Sequence, residues 1–479
     1  MTAGRTIFKN FISLTFSNAV SKASGLLTVV YLARVLGPED FGSINFALAL
    51  VSYFAILAHL GLATIGVREL AQRQENQGAC VNSITSLRLL LGPAAFLLLG
   101  LFVYLMPQTS DLKWLTVFYG LTMFTSNVLN FDWVFQGIEK MEYLGAASVI
   151  QALFYMGAIF LFVGGNADLP VIPFLLFAAQ AAAALFLFLV YRRLNPGYRF
   201  SFDPRLSREL FRQALPVAAW GVMTIIILNS GVTILGFSRG TEEVGYFAAA
   251  YKIVWIFVEA MVAYAVAVFP SISKHYLQNP ETFKKIMDAT LKWMAIASYP
   301  AMTGLFMLAA PIITLVYGSK FHEAGLLLRL LAVLPYLIFL SNVFSLSLLA
   351  AHRQQKNLWI SSFQAAFSVL LGLALIPLYG AAGLAASAVI SYGVTNAVYA
   401  FQSRDVYHLS PAHAVKPLLA SAVMALALAA LSGRNVFFLV GTGAAVYTAA
   451  LLLLKGVTRE DLDLISRTAG FWRADGGGQ

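Results

Sequence analysis

The chain has 479 residues, of which 59% are hydrophobic and only 11% charged, and its mean hydropathy is +0.76. Soluble domains carry roughly 25% charged residues, so this composition excludes a water-soluble protein and predicts a polytopic membrane protein. The formal net charge of +10 then reads as cytoplasmic loops facing anionic lipid rather than as nucleic-acid binding. The single cysteine, Cys80, excludes an internal disulfide.

In chain order, Met1 to Asn10, with Arg5 and Lys9, leads into an apolar stretch at 11–33 that is too long for a signal-peptide core and reads as a retained first helix. Apolar windows of helical length recur at 42–62, 82–105, 113–133, 144–163, 170–191, 213–237, 245–269, 289–316, 325–350, 358–378, 381–402, 415–432 and 435–454. With the first, they predict an all-α protein of about fourteen transmembrane helices. If the N-terminus is cytoplasmic and the loops alternate, about 24 of the 32 Lys+Arg fall inside. Arg34, Lys113, Arg239, Lys320, Arg329 and Arg434 fall outside, and Lys22 and Lys252 lie within spans. This positive-inside bias predicts both termini in the cytoplasm.

The links are short. Those around 192–212 and 270–288 are the largest and are basic, with Pro196, Pro204 and Pro280 read as breaks. The expected organisation is a six-helix lobe at 1–191, a basic linker at 192–212 and a second six-helix lobe at 213–402. Two accessory helices follow at 403–454, then a cytoplasmic tail at 455–479 in which Asp461, Leu462, Leu464 and Ile465 suggest a short interfacial helix.

An internal repeat supports two lobes. Gly37, Glu39 and Gly42 match Gly240, Glu242 and Gly245 at an offset of 203, after the first helix of each set of six. Six spans per copy keep the two in one orientation, so the expected pseudo-two-fold axis runs along the membrane normal, with a site between halves.

The segment Tyr31-Leu32-Ala33-Arg34-Val35-Leu36-Gly37-Pro38-Glu39-Asp40-Phe41-Gly42 resembles the opening of the polysaccharide-transport family. That family includes the Wzx-type flippases of O-antigen and other oligosaccharide-lipids, in the multidrug/oligosaccharidyl-lipid/polysaccharide exporter superfamily. Four more segments fit in order: 66–71 (GVRELA), 135–141 (FQGIEKM), 318–324 (GSKFHEA) and 376–383 (IPLYGAAG). The resemblance implies two six-helix lobes around a central cationic cavity. It implies movement of undecaprenyl-pyrophosphate-linked oligosaccharide from the cytoplasmic to the outer leaflet of a bacterial inner membrane, by alternating access. Two C-terminal helices are accessory; in a related lipid II flippase group they form a lipid groove. Central cations in the family are often arginine, whereas here they are lysine.

Such a substrate needs fixed cations at mid-depth, hydrogen-bonding walls for sugars and a lateral opening. Lys22 lies at the centre of the first span, where a charge costs at least ~2.5–3.5 kcal/mol, and its compact ammonium suits a phosphate. Lys252 and Glu259, seven residues apart, share one face of the eighth span. They read either as an anion-contacting lysine with a protonatable coupling carboxylate, or as static charge balance. Arg88 and Asp132 read either as a pair gating the inner mouth or as interfacial residues, with Trp133 in the aromatic belt. Glu39, Asp40, Glu242 and Glu243 flank the repeat loops, where Arg34 either joins an outer gate or attracts pyrophosphate at the exit. Amides and hydroxyls within spans (Asn18, Ser21, Asn45, Asn127, Asn130, Gln151, Asn229, Asn342, Gln364 and Asn396) either bond sugars or bridge helices. His59 is a possible titrating group.

No Walker A run, paired metal-binding histidines or G-x-S-x-G elbow occurs, so neither cofactor nor metal is expected; proton or sodium coupling, as in an antiporter, is the open question. The competing functions are a drug or cation exporter, disfavoured by central lysines, and a membrane glycan polymerase or ligase, disfavoured by short outer loops. A monomer is expected, working beside the polymerase and chain-length regulator of its pathway.

Overall fold

The structure, a computed structural model, describes residues 3–72, 77–196, 203–408 and 412–457, with side chains from residue 16 onward except at 220, 263, 266, 412 and 413. Expectations resting on the side chains of Arg5 and Lys9, on Arg199, and on the tail beyond Val457 fall outside the described residues. In hydrocarbon the backbone must satisfy its own polar groups, which a lone apolar segment achieves only as a helix. Accordingly no strand occurs among the described residues.

The helices are α1 (Ala3–His59), α2 (Leu62–Gln72), α3 (Gln77–Leu105), α4 (Ser110–Gly120), α5 (Asp132–Gly137), α6 (Met141–Phe162), α7 (Ile172–Leu194) and α8 (Pro204–Ser238). They continue with α9 (Thr241–Gln278), α10 (Pro280–Met307), α11 (Ala309–Tyr317), α12 (Ala324–Leu331), α13 (Leu334–Ala350), α14 (Gln354–Ser403), α15 (Ala412–Ala430) and α16 (Val436–Leu453). Among the described residues nine helical stretches are long and apolar enough to cross a membrane, or ten if α10 and α11, bent by 79°, form one span. Large apolar side chains face outward at membrane depth, Leu97 at 72% and Leu161 at 79% exposure; in water such surface would drive aggregation, and in lipid it is the solvated face. The chain is a multi-pass membrane protein.

Two helices are broken by glycine. Gly37 (φ 79°, ψ −179°) divides α1, and Gly380 (φ 59°, ψ −136°) divides α14. A side chain at such positive φ costs roughly 1–2 kcal/mol, which glycine avoids, and Pro38 then opens the second limb of α1 with its preset φ. Two expected loops are shorter than their sequence suggests. The 270–288 stretch is helical on both sides of Asn279, whose side chain accepts the Thr282 amide proton at 3.0 Å and caps α10, with Pro280 as its first residue. Asp203 caps α8 in the same way, accepting from Arg205 and Leu206, so Pro204 starts a helix instead of ending one.

The chain divides into two compact units, Met1–Gly245 and Tyr246–Gln479. In the first, α1 packs along α6, α3, α8 and α4, while α2 lies on α5 and α6 on α7. Its core includes Ile65, Ile84, Trp133, Phe135 and Leu187. In the second, α10 packs on α13 and α15, α13 on α14, and α15 on α16. Met287, Phe339 and Val343 fill one core there. Met424, Leu428 and Leu439 join α15 and α16 to Leu308, and the Tyr447 hydroxyl donates to the Ile296 carbonyl at 2.8 Å.

Candidate functional site

In the first unit, α1 has two opposed faces. Ser17, Ser24 and Thr28 are buried, and Thr28 donates to the Ser24 carbonyl at 2.8 Å, so small side chains let α1 approach its neighbours closely. Lys22 is exposed, with Asn18 exposed one turn before it, and nothing lies within 4 Å of where a side chain on Gly25 would begin. Asn18, Lys22 and Gly25 share a face at i, i+4 and i+7. A charge within an apolar span is costly against hydrocarbon, so a face that exposes Lys22 suits a water-filled path. Arg34 is also exposed, one turn before the break at Gly37.

The two copies of the repeat motif meet within this unit. A Cβ on Gly42 would lie 1.7 Å from the Thr241 carbonyl oxygen, and one on Gly245 would lie 1.9 Å from that of Pro38. At the offset of 203, Pro38 matches Thr241 and Gly42 matches Gly245, so the contact is reciprocal. Gly37 and Gly240 both have positive φ. Glu39 and Glu242 are exposed beside it, and Asn166 bonds the Leu36 carbonyl at 2.7 Å and the Asp40 carboxylate.

Arg88 and Asp132 lie together but are joined through a third residue. The chain between α4 and α5 passes through a π-helical segment, Phe124–Val128, and then leaves helical geometry before Asp132. Arg88, on α3 and 3% exposed, donates from Nη1 to the carbonyls of Asn127 (2.9 Å) and Asn130 (3.1 Å), with its guanidinium 5.6 Å from the Trp133 ring centroid. The Asn130 side-chain amide donates to Asp132 Oδ2 at 2.8 Å, and its Oδ1 accepts the Asp132 backbone N–H at 2.9 Å. Arg88 thus caps a broken span, and Asp132 is held by Asn130. Toward the ends of α2, α5 and α7 a cavity of about 330 Å³ is lined by Gln77, Glu139, Lys140 and Asn195, where segments 66–71 and 135–141 come together.

In the second unit, Lys252 and Glu259 are both partly buried on α9. Beside Lys252 run Phe247, Tyr251 and Trp255, one turn apart, with ring centroids at 5.4 and 5.7 Å. A polar seam joins α13 to α14: Ser341 donates to Asn396 Oδ1 at 2.9 Å and Asn396 donates to the Leu337 carbonyl at 2.9 Å; within α14, across its break at Gly380, Tyr399 donates to Asn357 Oδ1 at 2.7 Å. Outside the spans, Arg353 bonds Asp405, and that hydrogen bond holds the carboxyl below the usual carboxylate range.

The geometry sorts several in-span amides. Asn45, Asn229 and Asn342 each donate to the carbonyl one turn back on their own helix, and Asn396 bridges helices. Gln180 and Thr125 escaped the reading of the sequence. Thr125 donates to Gln180 Oε1 at 2.7 Å, and Gln180 is the one amide in the apolar stretch 170–191, the signal that could have exposed it. No group of three His, Cys, Asp or Glu side chains fit to hold a metal occurs among the described residues.

The chain is similar to a protein of Escherichia coli (strain K12) that bears the name of an O-antigen transporter, 23% identical over 73% of this chain and 85% of that protein. It is also similar to the flippase-named AglR of Haloferax volcanii, 24% identical over 95% of this chain and 97% of the relative. The solved structure of the lipid II flippase MurJ in an inward closed conformation shares its fold, with a TM-score of 0.77 and 15% identity over 94% of this chain and 99% of the other. The sequence profile of the family described as "Polysaccharide biosynthesis protein" matches residues 7–275, more than half of the chain. The chain belongs to the polysaccharide biosynthesis protein family.

Proposed function

We propose that this chain is a transporter that moves a lipid-linked oligosaccharide from one leaflet of the membrane to the other, and that its substrate is undecaprenyl-pyrophosphate-linked glycan of the O-antigen class. The observation that carries this reading is Lys22, an exposed cation within the apolar helix α1, in a chain whose relatives bear the names of O-antigen transporters and flippases. A pyrophosphate needs such a charge to cross, while its polyprenyl tail stays in lipid.

In this reading there are fourteen crossings. At 1.5 Å per residue, α1 and α14, of 57 and 50 residues and each broken at a glycine, are long enough for two apiece. The bent α10–α11 pair, the broken α4–α5 stretch and α15 supply the remaining three. The lobes are 1–191 and 213–402, joined by the basic linker 192–212 and followed by accessory helices in 403–454 and a tail at 455–479. The reciprocal contact of Gly42 and Gly245 supports a two-fold relation between repeats. Both termini are cytoplasmic in a bacterial inner membrane, and a monomer works beside a polymerase and a chain-length regulator. Lys22 and Lys252 hold the pyrophosphate, Arg34 draws it toward the exit, and Glu259 carries a coupling proton or sodium ion. Arg88 and Asp132 shape the inner mouth, and alternating access moves the cargo.

The test is flipping of a fluorescent polyprenyl-pyrophosphate oligosaccharide in proteoliposomes. Hydrogen bonds to charged groups are worth about 1.5–3 kcal/mol. Lys22→Ala and Lys252→Ala should therefore each slow flipping by about tenfold or more at matched insertion, with Lys22→Arg retaining most of the rate. Wild-type rates in both alanine variants would remove the two lysines from the mechanism, and absence of flipping by the wild type would remove the flippase reading.

A further inference from the structure

Between the π-helical segment, α5, α6 and α7 of the first unit lies a recess of about 150 Å³. A cavity of that size holds one six-membered ring. Its lining includes Ser126, Asn130, Asp132, Ser148, Gln151 and Gln180, and both Ser126 and Ser148 are exposed at the surface of the unit. Gln151 lies ten residues into α6 and Gln180 eight residues into α7, so on these two apolar helices the recess lies at least two turns in from the helix ends. Each polar group left against hydrocarbon without a partner costs several kcal/mol. An open recess with this lining belongs against a hydrated path.

The side chains in it are arranged for hydroxyl groups. Asn130 holds one oxygen of Asp132, Oδ2, at 2.8 Å, leaving Oδ1 to accept from a hydroxyl. Thr125 donates to Gln180 Oε1 at 2.7 Å, which leaves the Gln180 NH₂ group to donate to a ligand oxygen. Gln151 can both donate and accept, as can the two serines. Behind them Arg88 fixes the backbone through the Asn130 carbonyl at 3.1 Å, so the carboxylate stands on a braced turn. A single carboxylate among neutral donors and acceptors, with a guanidinium on its far side, favours a neutral polyhydroxylated ligand over a cation, whose charge Arg88 would oppose.

We propose that this recess binds one sugar ring of the transported glycan through its hydroxyl groups, with Asp132, Gln151 and Gln180 as direct partners and Arg88 as a positioning residue. This inference rests on the flippase reading. It adds a glycan subsite, separate from the lysines assigned to the pyrophosphate.

The experiment uses the full chain in nanodiscs and fluorescent polyprenyl-pyrophosphates bearing no sugar, one hexose, one N-acetylhexosamine or one hexuronic acid. Wild type should bind at least one glycosylated lipid about tenfold more tightly than the sugar-free lipid. Gln151→Leu and Gln180→Leu, each an apolar replacement suited to a spanning helix, should reduce that increment to less than about twofold, with sugar-free affinity held. Equal wild-type affinity for all four lipids would overturn the subsite while leaving the pyrophosphate reading intact, and so would an increment that survives in both variants. A thermal shift in sodium over choline that Asp132→Asn abolishes, with no sugar increment, would make the recess a cation site and overturn the proposal. Failure of wild type to bind even the sugar-free lipid would overturn the flippase reading and the subsite with it.

Discussion

Replacing Gly245 by valine is expected to abolish flipping in a chain that still inserts. The Cβ of any residue at 245 would stand 1.9 Å from the Pro38 carbonyl oxygen, and at 42 it would stand 1.7 Å from that of Thr241. Both obstacles are backbone atoms, which cannot rotate aside as a flexible side chain can, so the helices themselves must part. Inserting extra methyl groups into close packing costs typically 1–3 kcal/mol, and two β-branched methyls against backbone should reach the upper end. Because the contact is reciprocal, Gly42→Val should have the same effect, and the double variant should add little to either. The measurement is proteoliposome flipping beside the labelling rate of Glu39→Cys by a membrane-impermeant maleimide in a Cys80→Ala background. In the valine variants flipping should fall to background while labelling rises severalfold. Gly100→Val is the control, since nothing lies within 4 Å of a Cβ there; it should flip at the wild-type rate. Flipping at that rate by Gly245→Val would mean that the two turns never need to close on each other.

The same contact shows what the sequence could and could not disclose. A match at Gly37, Glu39 and Gly42 with Gly240, Glu242 and Gly245 was visible because glycine at a turn and glycine at a crossing are backbone requirements that no other residue meets equally well. The apolar windows were legible for a similar reason: hydrocarbon forces the backbone into helices whatever the side chains are. Helix faces were not legible. A span that is apolar all round, such as α6, carries no amphipathic stripe to orient it, so nothing in the sequence separated Asn45, which bonds its own helix, from Gln151, which lines a recess. The break between Asn127 and Asn130 was hidden as well, since its partner, Arg88, is some forty residues away and its charge pointed to Asp132 rather than to backbone carbonyls. Asn279 was misleading in the opposite sense. With Pro280 it resembles a loop, yet the pair is a cap and a first helical residue, so two long helices meet at one residue. Lys22 stood out on charge alone, because no interfacial anchor lies that deep.

Arg88→Ala should lower stability by about 3–5 kcal/mol, the range for leaving a buried charged network broken. The guanidinium is 3% exposed and supplies donors to two carbonyls, those of Asn127 and Asn130, that the interrupted helix leaves without backbone partners of the regular kind. Each carbonyl stranded in a dry interior costs about 1–3 kcal/mol, and the contact with Trp133 at 5.6 Å goes too. Arg88→Met tests packing against hydrogen bonding: it refills much of the volume but brings no donor, so it should remain closer to alanine than to wild type. Arg88→Lys restores a charge, and one nitrogen can serve both carbonyls as Nη1 does, but the ammonium is more strongly hydrated and lacks the planar face that lies over Trp133, and it should recover at most about half of the loss. Cys80 makes the measurement direct. It is the chain's one cysteine, it is buried, and it lies on α3 some two turns before Arg88. A thiol-reactive dye that fluoresces on coupling therefore reports opening of the region that Arg88 braces. Dye uptake should begin at a markedly lower temperature in Arg88→Ala than in wild type, with Arg88→Lys between them. Uptake at the wild-type temperature in Arg88→Ala would mean that water or a shifted backbone satisfies the two carbonyls, and the broken span would then need no brace.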